Sequence, residues 1–225
     1  MKIIKTTIAV IVASLFATAA LANNKVYIEQ AGSTNTVTIT QIGSTNRVGD
    51  SGLNSQSTIT GSNNALNVLQ QGSGNILDYT VKGDGNTVTK TVTGDTNQIT
   101  FTCGDGTTAC TNVTSTMTIT GDTNTVTSTI KGTNITNTLS ITGDSNTVTQ
   151  SILTSNSTSA ITIAGDSNTF TSSMSGAGAT LGHHLIASVL GTSNTHTITQ
   201  SGSVSTTVNI LTNGSSNTVT VSTGN

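Results

Sequence analysis

From Thr36 onward the chain alternates: Val37, Ile39 and Gln41 fall on one face and Thr36, Thr38 and Thr40 on the other. The same period of two runs through Leu77, Tyr79 and Val81, through Ile99, Phe101 and Cys103, and through Val126, Ser128 and Ile130. A period of two with β-branched residues predicts strands buried on one face. So much threonine and asparagine is poor material for a helix. Val37, Ile39, Val88, Val126 and Val148 are therefore expected inside, and Thr36, Thr38, Thr125 and Thr147 outside.

The strands are punctuated by Gly-x-x-Asn, at Gly32/Asn35, Gly43/Asn46, Gly61/Asn64, Gly72/Asn75, Gly83/Asn86 and Gly94/Asn97. It returns at Gly121/Asn124, Gly143/Asn146, Gly165/Asn168, Gly191/Asn194 and Gly214/Asn217. The step is eleven from Asn64 through Asn75 and Asn86 to Asn97, and twenty-two from Asn124 through Asn146 to Asn168. Glycine and asparagine are assigned to turns, since both tolerate φ > 0 and asparagine can bond its own backbone. One strand of this kind cannot bury its apolar face alone. Two facing strands make a coil of twenty-two, and stacked coils share a continuous core. The prediction is an all-β fold: a β-solenoid of about nine coils with a two-layer core, ~43 Å long at ~4.8 Å per coil. Inward asparagines and glutamines are expected to form amide ladders along the axis.

Ahead of the repeats, Lys2 and Lys5 precede an apolar run and then Ala20-Leu21-Ala22. That is the pattern of a secretory signal peptide over residues 1–22, with cleavage after Ala22. The repeat domain is then 23–225, with no membrane span after cleavage. It holds five basic residues (Lys25, Arg47, Lys82, Lys90, Lys131) against nine acidic ones, and no proline. No basic stripe exists to displace counterions from phosphates, so nucleic acid is not an expected partner.

Four units carry a fuller motif of Asn, five residues, Gln, one residue, Gly: Asn24…Gln30-x-Gly32, Asn35…Gln41-x-Gly43, Asn64…Gln70-x-Gly72 and Asn194…Gln200-x-Gly202. In this the chain resembles the curlin repeats of bacterial curli fibres. Elsewhere Val81, Val92, Ile130, Ile152 and Met174 stand where the glutamine would be. The resemblance implies a secreted, cell-surface subunit of amyloid-like fibres with a biofilm or adhesion role. It implies other copies of the chain as partners, with other fibre subunits and host or matrix surfaces as further ones.

Two interruptions break the count, near 103–112 and 176–191. The first contains Cys103 and Cys110, the only cysteines. In a secreted chain they predict a disulfide closing the inserted loop. The second contains His183 and His184, with no carboxylate or thiol near them, so a solvated bulge or short helical excursion is expected rather than a metal pair. His196 lies on the inward phase and reads as a core histidine. Asp122, Asp144 and Asp166 recur twenty-two apart at turns. They suit turn formation and protection against aggregation, or a calcium ladder. No metal site, cofactor or catalytic residue is assigned. Paired carboxylates in a cleft are missing from the pattern, and an enzyme is not expected. The alternative to a fibre subunit is an ice- or surface-binding solenoid. Outward Thr-x-Thr pairs after Asn35, Asn86, Asn124, Asn146, Asn168 and Asn217 would form its flat array, spaced ~4.8 Å between coils and ~6.8 Å along the strand.

Overall fold

The computed structural model describes residues 23–50, 57–176 and 181–224 in full, and residues 10–16 as backbone. All regular structure among them is β-strand. The strands lie in two parallel sheets, and the chain crosses from one to the other at each Gly-x-x-Asn turn. The first sheet stacks Thr36–Ser44, Ala65–Ser73, Thr87–Thr93, Thr114–Thr120, Thr136–Thr142, Thr158–Ala164, His184–Leu190 and Thr207–Asn213 in that order. The second begins with Lys25–Val26 and Ile28–Ala31, then Arg47–Val48 and Ser57–Thr60. It continues through Ile76–Asp84, Gln98–Cys103, Thr125–Ile130, Thr147–Ile152, Thr169–Met174, Thr195–Gln200 and Thr218–Thr223. This is a β-solenoid of about eight coils, slightly fewer than the expected nine, because several connections hold extra residues.

The register shows where those residues are. Asn124 and Asn146 are 22 apart and stack directly. Asn97 and Asn124 stack at 27, the excess being the cysteine loop. Asn46 and Asn75 stack at 29. Their seven extra residues lie between Val48 and Ser57, an interruption the repeat count passed over; 51–56 fall outside the described residues. Asn168 and Asn194 stack at 26, but the second expected interruption ends earlier than 191. His184–Leu190 is a regular strand in register with Thr158–Ala164, with Leu185, Ala187 and Val189 buried. The excess is confined to the connection after Met174, of which 177–180 lie outside the described residues.

The inward phase matches the expectation. Val37, Ile39, Val88, Val126 and Val148 are buried, Thr36 and Thr147 exposed, and Thr38 and Thr125 half-buried. Full burial of each such aliphatic side chain contributes roughly 1.5–3 kcal/mol, so the stack stands on its two inner faces. The turns differ from the expectation in one respect. The asparagine that closes Gly-x-x-Asn does not take the left-handed conformation. The residue before it does: Thr45 at φ 57°, Thr96 at 55°, Thr123 at 57° and Ser145 at 57°. The asparagine is thereby turned inward.

The strand Val10–Phe16 pairs in parallel with Thr36–Ile42, at the first sheet's outer edge. It belongs to the segment read as a leader; the rest of that segment, 1–9 and 17–22, lies outside the described residues. No helix among the described residues is long and apolar enough to cross a membrane.

Candidate functional site

A column of asparagines runs the whole length of the rod: Asn24, Asn46, Asn75, Asn97, Asn124, Asn146, Asn168, Asn194 and Asn217. From Asn46 to Asn194 each Oδ1 accepts two hydrogen bonds from the asparagine one coil on, and Asn24 Oδ1 accepts the backbone N–H of Asn46. Asn146 gives Asn124 its backbone N–H and its Nδ2, both at 3.0 Å, and Asn168 repeats this on Asn146. Nδ2 also reaches forward to a glycine carbonyl, as from Asn124 to Gly143 at 2.9 Å. The glycine column is the counterpart of this bond. A Cβ on Gly94 would lie 2.1 Å from the Gly121 carbonyl oxygen, so only glycine admits the approach.

The opposite corner starts the same way, with Asn35, Asn64 and Asn86. There the column changes to Val113, Ile135, Ser157 and His183. Glutamine ladders are shorter than expected. Gln41 donates to Gln70 at 2.7 Å, but Val92 is next in that column. Gln200 turns instead to the backbone carbonyls of His184 and Thr206, since its neighbour below is Met174.

Lys90 was visible in the sequence only as a charge, although its place between Val88 and Val92 puts it on the inward phase. It is fully buried. Its Nζ donates to Ser115 Oγ at 2.8 Å and lies 3.9 Å from the centre of the Phe101 ring. The network continues from Ser115 to Asn137 (3.0 Å), and from Asn137 to Gln150 (2.8 Å), which in turn donates to Ser159. Burial pulls the Lys90 amine down to about 7. The groups are arranged as a buried polar spine.

Cys103 and Cys110 are joined as a disulfide, both buried. Their loop is held further by Lys131, whose Nζ donates to Asp105 at 2.5 Å. That contact, with amides of the same loop, holds the Asp105 carboxyl below the usual range. His183 is buried rather than solvated, which corrects the expected bulge. One ring nitrogen faces the Ser175 carbonyl at 3.0 Å and the other the Thr206 hydroxyl at 2.9 Å. His196 is a core residue, stacked on Phe170 at 5.9 Å and bonded to Thr212 Oγ1 at 2.8 Å. Desolvation lowers its pKa.

The turn aspartates are used structurally. Asp144 Oδ1 accepts the backbone N–H of Asp122 at 2.7 Å, and Asp166 that of Asp144 at 2.8 Å. Each carboxylate thus caps the turn one coil before it. Among the described residues no three His, Cys, Asp or Glu side chains are gathered to hold a metal ion.

The Thr-x-Thr pairs are divided between the two faces, which corrects the expected single array. Those after Asn35 and Asn86 lie on the first sheet, those after Asn124, Asn146, Asn168 and Asn217 on the second. On the second sheet the outward columns are continuous. Thr100, Thr127, Thr149, Thr171, Thr197 and Thr220 stack in register. From Gln98 to Ser222 every outward strand position there except Gln98 is threonine or serine.

Residues 22–43 match the curlin associated repeat. No curated protein and no solved structure shows significant similarity to the chain. The matched segment spans the first coil, Lys25–Val26 and Ile28–Ala31 with Thr36–Ser44, and the later coils repeat its two-strand plan. The repeat and the stacked parallel strands together fit a curlin-like repeat protein.

Proposed function

We propose that the chain is a non-catalytic structural subunit of extracellular, curli-like fibres. It is exported by the leader at residues 1–22 and assembles head to tail by β-stacking, for a biofilm matrix or adhesion. The observation that carries this reading is the in-register asparagine column, a contact that repeats with every coil and has no natural stopping point. At the far end the last strand of the second sheet, Thr218–Thr223, has its outer edge unpaired among the described residues. Such an edge is a template for another strand. Head-to-tail contact between unlike ends does not close, so it propagates as a filament.

The direction of the hydrogen bonds sets the test. Outward residues donate forward: Thr125 N–H goes to Asn146 O and Thr195 N–H to Asn217 O. By the alternation of a parallel ladder, Thr220 N–H faces the free edge, while Val219 N–H faces back into the protein. Thr220→Pro therefore removes a donor from the growing end and leaves the internal ladder whole. Wild-type protein should form fibres with a reflection at ~4.7 Å along the axis, and Thr220→Pro should stay largely monomeric with an unchanged fold. Equal and lasting solubility of both at high concentration refutes the fibre reading.

A second reading is supported by the uncharged hydroxyl face of the second sheet. Its two-dimensional repeat suits ice or another crystalline surface. Thermal hysteresis by the soluble protein, lost in Thr149→Lys, would favour that use of the face; no hysteresis removes it.

A further inference from the structure

The two ends of the rod carry buried polar atoms that the single copy leaves without partners. Gln30, in the first strand level of the second sheet, has neither Nε2 nor Oε1 hydrogen-bonded. At the far end Thr223 Oγ1 and the Oε1 of Gln200, the residue stacked below it, are also unpartnered. All three belong to one inward column. Gln30 stacks on Ile59 and then Val81, and the column passes through Cys103, Ile130, Ile152 and Met174 before reaching Gln200 and Thr223. Leaving a buried amide or hydroxyl without a partner is costly, and here the deficit sits at both ends of a single line.

We infer from this a specific junction between two copies of the chain. Lys25–Ala31 of one copy adds to the free edge of Thr218–Thr223 of the other, with Lys25 on Thr218, Tyr27 on Thr220 and Gln30 on Thr223. The inference rests on the head-to-tail reading and gives it a register. Gln30 Nε2 then donates to Thr223 Oγ1, whose own proton is free for Gln200 Oε1. Gln41 and Gln70 already show the spacing of such a contact, one coil apart at 2.7 Å. The asparagine column agrees independently. Asn217 is its last rung and offers Oδ1 forward, while Asn24 of the incoming copy supplies the backbone N–H and Nδ2 that the rungs from Asn46 to Asn194 receive. The half-buried Val26 and Ile28 close over the half-buried Val219 and Val221. Any other register places Gln30 against valine, or turns it outward.

On the first sheet the level between Thr207–Asn213 of one copy and Thr36–Ser44 of the next is the one Val10–Phe16 occupies in the structure. With the leader removed it is a slot one strand wide. The experiment therefore reads the second sheet.

Tyr27 and Thr220 lie at opposite ends of the rod, ~40 Å apart at ~4.8 Å per coil, so a disulfide between them can only join two copies. In the proposed register their Cα atoms are ~4.8 Å apart, within disulfide reach, whereas Tyr27 and Ser222 are more than ~8 Å apart and beyond it. Full-length Tyr27→Cys/Thr220→Cys and Tyr27→Cys/Ser222→Cys are assembled under conditions that spare the native disulfide. Fibres are checked by diffraction, then oxidised and run on non-reducing gels. The first variant should give a covalent ladder at least ~10-fold stronger than the second. Fibres in which the second links as well as the first, or in which neither links, overturn the register while leaving the fibre reading intact. Absence of fibres in wild type defeats both.

Discussion

Lys90 is the residue at which the sequence pattern and the chemistry disagree most. Its neighbours Val88 and Val92 are ordinary core residues, and strand phase forces the ammonium between them. The Ser115 hydroxyl and the Phe101 ring meet it. Its folded pKa, about 7, lies below the ordinary 10.5. Between those values the unfolded chain binds a proton that the folded chain does not, so stability rises with pH across that window. Below about pH 7 both states are charged, and the full burial penalty stands. Wild-type melting temperature should therefore climb from about pH 7 to about pH 9.5, and the slope should vanish in Lys90→Met. At pH 7 Lys90→Met should also be more stable by roughly 1–4 kcal/mol, as when a buried charge gives way to an apolar side chain of similar volume. Equal slopes in the two proteins would show that Lys90 stays charged inside.

At the scale of the turn, two glycines of similar appearance have different duties. Gly94 has φ 121° and a carbonyl 2.1 Å from where its Cβ would be, whereas Gly74 has φ 69° and nothing nearer than 3.4 Å. Gly94→Ala should cost roughly 2–5 kcal/mol, combining backbone strain with a clash that the ladder cannot relieve. Gly74→Asn should be neutral or slightly stabilising, because asparagine accepts the left-handed region and threonine already occupies it at Thr45 and Thr96. Chemical denaturation of the two variants checks both. This contrast also marks how far the sequence could be read. The strand phase, the coil of twenty-two residues and the pairing of the cysteines were legible, since each depends on local pattern or on simple counting. The division of labour inside Gly-x-x-Asn was not. It arises because Asn124 bonds residues 22 and 19 positions away, and nothing local reports that. The same holds for the split of the threonines between two faces and for the Lys90 network, in which Lys90, Ser115, Asn137, Gln150 and Ser159 come from five different strands. The Val48–Ser57 interruption, in contrast, could have been found by counting from Asn46 to Asn64.

For the whole molecule, stability should behave as a sum over coils and their interfaces, provided the columns are kept. Removing residues 125–146 joins Asn124 to Thr147 and takes out one coil of 22 residues. The asparagine column loses one rung, and Asn168 takes the place of Asn146 above Asn124. The polar spine can close again, because Ser115 then stacks on Ser159, which still meets Gln150. The half-buried Lys131–Asp105 pair is lost with the coil. Removing only 125–135 deletes half as much chain but carries Asn146, Asn168, Asn194 and Asn217 to the corner where Val113 stands. There they cannot continue from Asn124, and every later strand changes sheet. The full-coil deletion should fold, keep its β-sheet circular dichroism and shorten the rod by ~4.8 Å. The half-coil deletion should melt at a much lower temperature, or fail to fold, despite being the smaller change. If the two deletions prove equally stable, the stacking of side-chain columns is not what holds the coils in register, and the strands must be held by backbone pairing alone.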